Sequence, residues 1–279
     1  MRKILIKLVR NPLGWKLLRP FARFGSFLIH QRRIFEHDAY RSRQDLSDSF
    51  SSNIVLHGPF RGMRYPEQLA TGSSFLPKLL GSYEAELHKV IEEFCAARWE
   101  TIIDVGCAEG YYAVGMGLRQ PQATIKAYDL DDHARRMCRS ISDLNGISDR
   151  LTIGKTFTPD SILQGSFEKE TLLISDCEGY EKKLFTSKTI PKLQHCTLLI
   201  ETHDFIDIGI STALGELFAQ THEVEWIKSR DDIQKAKYYD YPELDEMDLQ
   251  SKEQIYHEGR PAIMEWMVCR PKRNGHHAN

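Results

Sequence analysis

The sequence lacks long apolar runs and paired cysteines. Near the N-terminus the longest purely apolar stretches are residues 4–6 and 27–29, whereas a membrane span requires about 18 apolar residues and a secretory signal about 7–15. The cysteines include no C-x-x-C pair. We therefore expect no membrane span, no export, and no zinc site or disulfide framework. Reduced thiols in the cytoplasm are the simplest interpretation.

Internal repeats and low-complexity tracts are also missing. A composition of 41% hydrophobic and 27% charged residues in a chain of 279 is typical of a folded globular protein, not of a fibre or a disordered chain. Changes in pattern divide the sequence into three parts. We predict a basic helical arm over 1–50, a hairpin and a helix over 51–100, and a core over 101–279 that contains an acidic insertion at 229–260.

Charge is distributed unevenly along the chain. Residues 1–43 carry eleven Lys and Arg against two Asp and Glu, although the whole chain has a net charge of −2. Apolar residues recur at helical spacing within this arm: Leu17, Leu18, Phe21, Phe24 and Leu28. Two interpretations follow: the arm binds an anionic membrane surface or another polyanion, or it packs on the body with its basic side in solvent. Nucleic acid is not expected as a substrate because the body is acidic.

From residue 101 onward, short β-branched runs alternate with helical segments. This alternation predicts parallel βαβ units, and hence an α/β, Rossmann-like sheet with helices on both faces. The candidate strands are 101–105, 123–128, 151–154, 172–175, 197–201, 224–227 and 262–269. The insertion at 229–260 contains no good strand, so we expect loops or short helices there, forming a lid or an oligomer contact.

The first candidate strand runs into a turn of pattern G-x-A-x-G at residues 106–110, and a helix follows. Dinucleotide enzymes require G-x-G-x-x-G, and this turn has Tyr111 where the third glycine would stand. Glu109 within the turn would also repel a pyrophosphate. These features favour a cofactor without phosphates, such as S-adenosylmethionine. Asp129 ends the second strand, where an acid can accept hydrogen bonds from ribose hydroxyls.

Polar residues follow two further apolar strands, and the carboxyl ends of adjacent parallel strands face one crevice. These residues are Asp176, Glu178, Glu201, His203 and Asp204. They are expected to form a catalytic cluster, or a structural network that caps loops. His203 is the first candidate for a general base because its unperturbed pKa is about 6.5. Asp176 would hold the methionine amino group of the cofactor, orient the base, or act as the base itself.

Two other features leave alternatives open. Asp176, Glu201 and Asp204 are hard oxygen ligands, so Mg²⁺ is a possible but not favoured cofactor at this cluster. Upstream of the core, Tyr83 and Glu84 would line the acceptor side, or they would begin a solvated helix.

The motifs DVGCAEGYYAVG, AYD, SDCEGYE and IETHD together resemble the FkbM-type branch of class I S-adenosylmethionine-dependent methyltransferases, over about residues 55–270. The resemblance implies a seven-stranded sheet with a reversed last strand. It implies an acceptor hydroxyl on a sugar, a glycan or another small metabolite. It further implies cofactor contacts at Asp104, Gly106, Cys107 (through its backbone), Gly110 and Asp129. In this family an acid after the third strand reaches the adenine, and here only Asp160 is available.

The sequence therefore predicts a methyltransferase, most simply an O-methyltransferase. One alternative keeps the fold and makes the protein an NAD-dependent oxidoreductase. The other is a non-catalytic nucleotide-binding protein that the basic arm tethers to a surface. The oligomeric state cannot be derived from the sequence.

Overall fold

The structure is a computed structural model that describes residues 9, 11–21, 25, 28, 52–67, 70, 74–167 and 170–272. The chain divides between Ser51 and Ser52 into two units. In the first unit, residues 12–21 are helical, while Phe24 and most of the basic residues of the arm lie outside the described residues. No helix in the described ranges is long and apolar enough to cross a membrane.

Seven strands of the second unit form one sheet in the order β3-β2-β1-β4-β5-β7-β6. The strands are β1 (Thr101–Val105), β2 (Thr124–Tyr128), β3 (Leu151–Gly154), β4 (Thr171–Ser175), β5 (Thr197–Thr202), β6 (His222–Lys228) and β7 (Glu265–Pro271). The pairs among β1 to β5 are parallel, and β7 is antiparallel to both β5 and β6. This confirms the predicted seven-stranded, mostly parallel sheet with a reversed last strand.

Helices precede the first strand and connect the later ones. They are α1 (Phe75–Leu80), α2 (His88–Ala96), α3 (Tyr111–Arg119), α4 (Asp132–Leu144), α5 (Pro159–Gln164), α6 (Glu181–Leu184), α7 (Ile190–Leu193), α8 (Ile210–Phe218), α9 (Asp232–Tyr238) and α10 (Leu249–Tyr256). The hairpin predicted at 52–65 contains an antiparallel bridge between Ile54 and Arg64. The insertion at 229–260 contains short helices, as predicted.

Side chains alternate between the two faces of the sheet, and both faces are buried. On one face, Ile103 and Val105 of β1 belong to a core cluster that includes residues of α5 to α8. On the other, Ile102 of β1 pairs in register with Ile125 of β2, against which Gly117 of α3 packs. Helices on both faces explain why the central strands are continuous apolar runs.

The register of the sheet places the candidate site. Val105, the last residue of β1, pairs with Ser175, the last residue of β4, and Ser175 pairs with Ile200 of β5. The residues that follow these strands therefore emerge at one edge of the sheet, where ligands bind in folds of this kind.

Candidate active site

The turn after β1 begins with a glycine that no other residue can replace without rearrangement. Gly106 has φ +81°, and a Cβ atom built on it would lie 1.6 Å from the carbonyl oxygen of Asp176. Its N–H donates to the carbonyl oxygen of Tyr128 at 2.8 Å. The turn therefore lies in close contact with the chain at the ends of both β2 and β4, which only a glycine allows.

Asp129 is held in place by the same turn. Its Oδ2 accepts a hydrogen bond from the N–H of Ala108 at 2.9 Å, and its Oδ1 accepts one from the N–H of Asp131 at 2.8 Å. Each carboxylate oxygen has a second lone pair. The carboxylate is therefore fixed in orientation and can still accept hydrogen bonds from a ligand.

A cavity of about 490 Å³ opens beside this turn, within the size range of cofactor sites, about 300–1,000 Å³. Five of the six residues predicted to bind the cofactor line it: Asp104, Gly106, Cys107, Asp129 and Asp176. Gly110 does not. It precedes α3 with φ +96°, where a Cβ would meet the Cys138 Sγ, so it shapes the turn. The backbone N–H of Cys107 already donates to the Tyr128 carbonyl.

The side of the cavity after β3, where an acid was expected to reach the adenine, differs from the prediction. Asp160 is exposed in α5 and does not line the cavity. The wall after β3 is instead made by Lys155, Thr156, Phe157 and Thr158, with Tyr128 of β2 beside them. The rings of Tyr128 and Phe157 lie 5.1 Å apart. Phe157 follows β3 by three residues, and this strand-end position is the signal that could have identified it.

Asp104 is a buried carboxyl group on the cavity wall. Burial, and next the charge of Asp176, raise the pKa of Asp104 to about 8. Its Oδ2 atom has no hydrogen-bond partner in the described part of the chain. An unpartnered oxygen on a buried carboxyl group of a cavity wall is complementary to a cationic ligand.

Glu109 does not face the cavity. It is fully buried and forms an ion pair with Lys78 of α1, which does line the cavity. The expectation that Glu109 would repel a pyrophosphate is therefore wrong, because Lys78 neutralises its charge. The second argument against a dinucleotide remains, since the buried Tyr111 side chain stands at the third glycine position.

His203 lies among carboxylates at the end of β5. Its Nδ1 is 2.6 Å from Glu181 Oε1, and its Nε2 is 3.3 Å from Asp176 Oδ1 and 3.5 Å from Glu178 Oε2. Burial alone would lower the pKa of His203, but the Asp176 and Glu181 carboxylates outweigh it and raise the pKa to about 10. At neutral pH the ring is an imidazolium, which has no lone pair to accept a proton. The assumption of a pKa near 6.5 is thus wrong.

The predicted set of Mg²⁺ ligands is not brought together. Asp204 turns away from the cluster, because its carboxylate accepts hydrogen bonds from the N–H and hydroxyl of Ser211 in α8. Glu201 is paired with Arg260. Within the described ranges, the group with metal-like spacing is Asp176, Glu178 and His203, and a cation there would have to displace the proton of the imidazolium.

A second, smaller cavity of about 90 Å³ adjoins the first. The two share Tyr83, Asp176 and Glu178 in their walls. The remaining wall of the second cavity is formed mainly by the charged or polar side chains of Glu201, His203, Glu258 and Arg260, with apolar side chains beside them. A cofactor-sized cavity therefore meets a polar cavity at Asp176.

Arg260 joins three segments around the second cavity. Its guanidinium binds Glu84 upstream of the core, Glu201 in β5, and Glu258, with 2.8 Å between Nε and Glu258 Oε2. Glu258 also pairs with the buried Lys235 of α9 at 2.6 Å. The insertion thus forms a wall of the site. Sequence reasoning gave no reason to single out Arg260, since its partners lie up to 176 positions away.

Tyr83 and Glu84, which precede the core in sequence, lie in different parts of the site. Tyr83 lines both cavities. Glu84 is buried, so its assignment to a solvated helix start is wrong. Burial raises the pKa of Glu84 to about 7, although the Arg260 guanidinium opposes this.

Backbone strain is concentrated around these cavities. Four non-glycine residues in the described ranges have positive φ: Asn53, Glu84, Ala108 and Glu178. Ala108 and Glu178 line the larger cavity, and Glu84 binds Arg260. Such strain persists where the surrounding structure enforces it, often at functional sites.

No family model matches the sequence, and no curated protein matches it. Solved structures do match. A methyltransferase from Geobacter sulfurreducens in complex with S-adenosyl-L-homocysteine is 12% identical, with a TM-score of 0.42, over 68% of this chain and 91% of its own. The O-methyltransferase TomG from Streptomyces achromogenes, in complex with S-adenosylmethionine, is 7% identical, with a TM-score of 0.46, over 69% and 82%. An O-methyltransferase from Bacillus cereus is 10% identical, with a TM-score of 0.45, over 68% and 82%.

Proposed function

We propose that this protein is an S-adenosylmethionine-dependent methyltransferase that acts on a hydroxyl group of a sugar, glycan or other small metabolite. The observation that carries the proposal is the meeting of the two cavities at Asp176. The larger cavity is lined by Asp129, an acid placed to accept hydrogen bonds from ribose hydroxyls, and by Asp104, a buried carboxyl group with an unpartnered oxygen that suits a cation. The smaller cavity is polar, as a hydroxylated acceptor requires. The motif resemblance to FkbM-type enzymes supports the same assignment.

The residues present fit this cofactor. Asp129 would bind the ribose hydroxyls, Phe157 and Tyr128 would border the adenine, and Asp104 and Asp176 would face the cationic end. When bound, the cofactor supplies a methyl group on a positively charged sulfur. The chain's own task is to orient an acceptor hydroxyl, exclude water and remove one proton.

We assign the proton transfer to Asp176. Its Oδ1 is buried, has no hydrogen-bond partner in the described part of the chain, and lies 3.3 Å from His203 Nε2. His203, as an imidazolium, pairs with Asp176 and orients it, and Glu181 in turn holds the other ring nitrogen at 2.6 Å. The cluster thus works as a unit in which the carboxylate, not the ring, accepts the proton.

Calorimetry with S-adenosylhomocysteine and with NAD tests the cofactor assignment. We expect binding of the former only. Replacing Asp129 with Ala should lower that affinity about 10–100-fold, because hydrogen bonds to a charged group are lost. Asp160→Ala is the matched control, because it removes an exposed carboxylate of α5 that does not line the cavity. This variant should bind S-adenosylhomocysteine with unchanged affinity. Binding of NAD instead would support the oxidoreductase, and binding of neither would refute both.

The acceptor is tested separately. Incubation of the protein with labelled S-adenosylmethionine and extracts of sugars, glycans and metabolites should transfer label to a hydroxylated compound. Tight cofactor binding without transfer to any extract would favour the non-catalytic nucleotide-binding protein.

We further propose that the arm lies on an anionic membrane surface. In the helix at residues 12–21, Leu13, Leu17 and Phe21 recur at every fourth position and are 75%, 73% and 75% exposed. Lys16 and Arg19 are exposed on the same helix. An exposed apolar row beside basic residues suits anionic lipid better than a purely polar polyanion.

Sedimentation with vesicles tests this arm. The protein should bind vesicles containing phosphatidylserine at least tenfold more tightly than phosphatidylcholine vesicles, because each basic residue contributes about 1 kcal/mol at an anionic surface. The double change Leu17→Ser and Phe21→Ser should remove most of the binding. Leu249→Ser, an exposed leucine of α10, should change nothing. Equal binding to both vesicle types, or binding to heparin alone, would contradict the proposal.

A further inference from the structure

We propose that Lys78 binds the carboxylate of the cofactor's amino-acid arm. This inference rests on the proposed function. It adds a cofactor contact from a residue that precedes the core in sequence. Lys78 lies in α1, upstream of the first strand, and only 2% of it is exposed. A buried lysine on a cavity wall that carries several carboxylates calls for an explanation in terms of charge.

The position of Lys78 matches the amino-acid end of the ligand. Its Nζ lies 4.8 Å from the ring centre of Tyr83 and 5.6 Å from that of Tyr111. Tyr83 lines both cavities, so Lys78 stands near the end where they meet. The sulfonium must lie at this junction if its methyl group is to face the acceptor.

The opposite end of the larger cavity is assigned to the nucleoside. Asp129 ends β2, and Lys155 and Phe157 follow β3. Lys155 is the other lysine on the wall of this cavity within the described residues, and it lies on the adenine side. Lys78 is therefore the lysine placed to meet a carboxylate at the methionine end.

The remaining charges on the walls reinforce this assignment. Within the described residues, three other acids on the wall of the larger cavity would repel a ligand carboxylate: Asp129, Asp176 and Glu178. In the smaller cavity, Arg260 is engaged by three carboxylates and His203 is paired with Glu181. An ammonium group has three donors, and Glu109 occupies one of those of Lys78. Glu109 thus fixes the ammonium in place and leaves it donors for the ligand.

The test compares S-adenosylmethionine with its decarboxylated form, which lacks only the carboxylate. Calorimetry on the full-length protein should show that the unaltered chain prefers S-adenosylmethionine at least tenfold. Lys78→Met should lower the affinity for S-adenosylmethionine about 10–100-fold and change the affinity for the decarboxylated compound less than threefold, which erases the preference. Lys155→Met, the matched control, should leave the preference intact.

A second variant guards against misfolding. Lys78→Met leaves the buried Glu109 without its cation, so the double variant Lys78→Met and Glu109→Gln removes both charges together. It should fold and show the same loss of preference. Equal weakening of both ligands in the folded variants, or no preference in the unaltered protein, would overturn the role of Lys78. If the unaltered protein bound neither ligand, the proposed function itself would fail.

Discussion

Replacing Asp176 with Asn should lower kcat by about 10²–10⁴-fold, the range by which a positioned base accelerates proton transfer. The substitution keeps the shape of the side chain at the junction of the two cavities and removes the negative charge beside His203. Affinity for S-adenosylhomocysteine should change less than tenfold. Single-turnover methyl transfer with saturating cofactor, using the acceptor that the extract screen identifies, measures the effect.

The pH dependence of kcat separates Asp176 from His203 as the base. A neutral imidazole would give a rise in kcat centred near pH 6.5. We expect no such rise. Because the carboxylates raise the pKa of His203 to about 10, kcat should instead fall as the pH approaches 10 and the imidazolium loses its proton. His203→Gln can still donate a hydrogen bond to Glu181 but has no group that titrates. Its kcat should be much lower and should not decrease further as the pH approaches 10.

Asp204→Asn is the matched control, since Asp204 is adjacent to His203 in sequence but binds Ser211 in α8. Its kcat should be normal, and its stability should change by less than about 1 kcal/mol, because the amide oxygen of Asn can still accept the hydrogen bond from the Ser211 N–H. If Asp176→Asn instead weakened cofactor binding and left kcat intact, Asp176 would hold the methionine amino group.

Local patterns predicted most of the fold. Strands β1 and β3 occupy the predicted residues because each is a short apolar run bounded by turn signals. The error is larger for the reversed strand, β7. The last strand was predicted over 262–269, but pairing with β5 and β6 begins only at Glu265 and continues to Pro271. Apolar content marks the burial of a segment, whereas the ends of a strand are decided by the partner with which it pairs.

The site could be predicted only where it is local in sequence. Asp104, Gly106 and Asp129 belong to the strand–turn–helix motif, so their spacing identifies them. Lys78 and Arg260 bind partners 31 and up to 176 positions away, and nothing in their immediate sequence distinguishes them from solvated side chains. The charge state of His203 was equally hard to predict, because its pKa depends on the carboxylates of Asp176 and Glu181, which are distant from it in sequence.

Replacing Asp104 with Asn should stabilise the ligand-free protein at high pH. The pKa of Asp104 is raised from 3.8 to about 8, so the folded state binds a proton that the unfolded chain releases above pH 4. The stability that this proton confers is complete below pH 4 and is lost as the pH rises through 8. Asn stays neutral throughout. At pH 9 the variant should therefore gain a few kcal/mol, or roughly 10 °C in Tm, and at pH 4 it should gain little.

The same substitution should weaken cofactor binding. A variant that is more stable at high pH but binds the cofactor less tightly would show that Asp104 serves the ligand and not the fold. A cationic ligand lowers the pKa of Asp104, and the carboxyl group then loses its proton. Binding at pH 7 should therefore release close to one proton. Calorimetry in buffers of different protonation enthalpy measures this number. Asp104→Asn should abolish this release and reduce affinity for S-adenosylmethionine about 10–100-fold at pH 9. If the variant gained no stability at high pH, Asp104 would already be ionised in the empty site. If the variant bound the cofactor as tightly as the unaltered protein, the unpartnered oxygen of Asp104 would not contact the ligand.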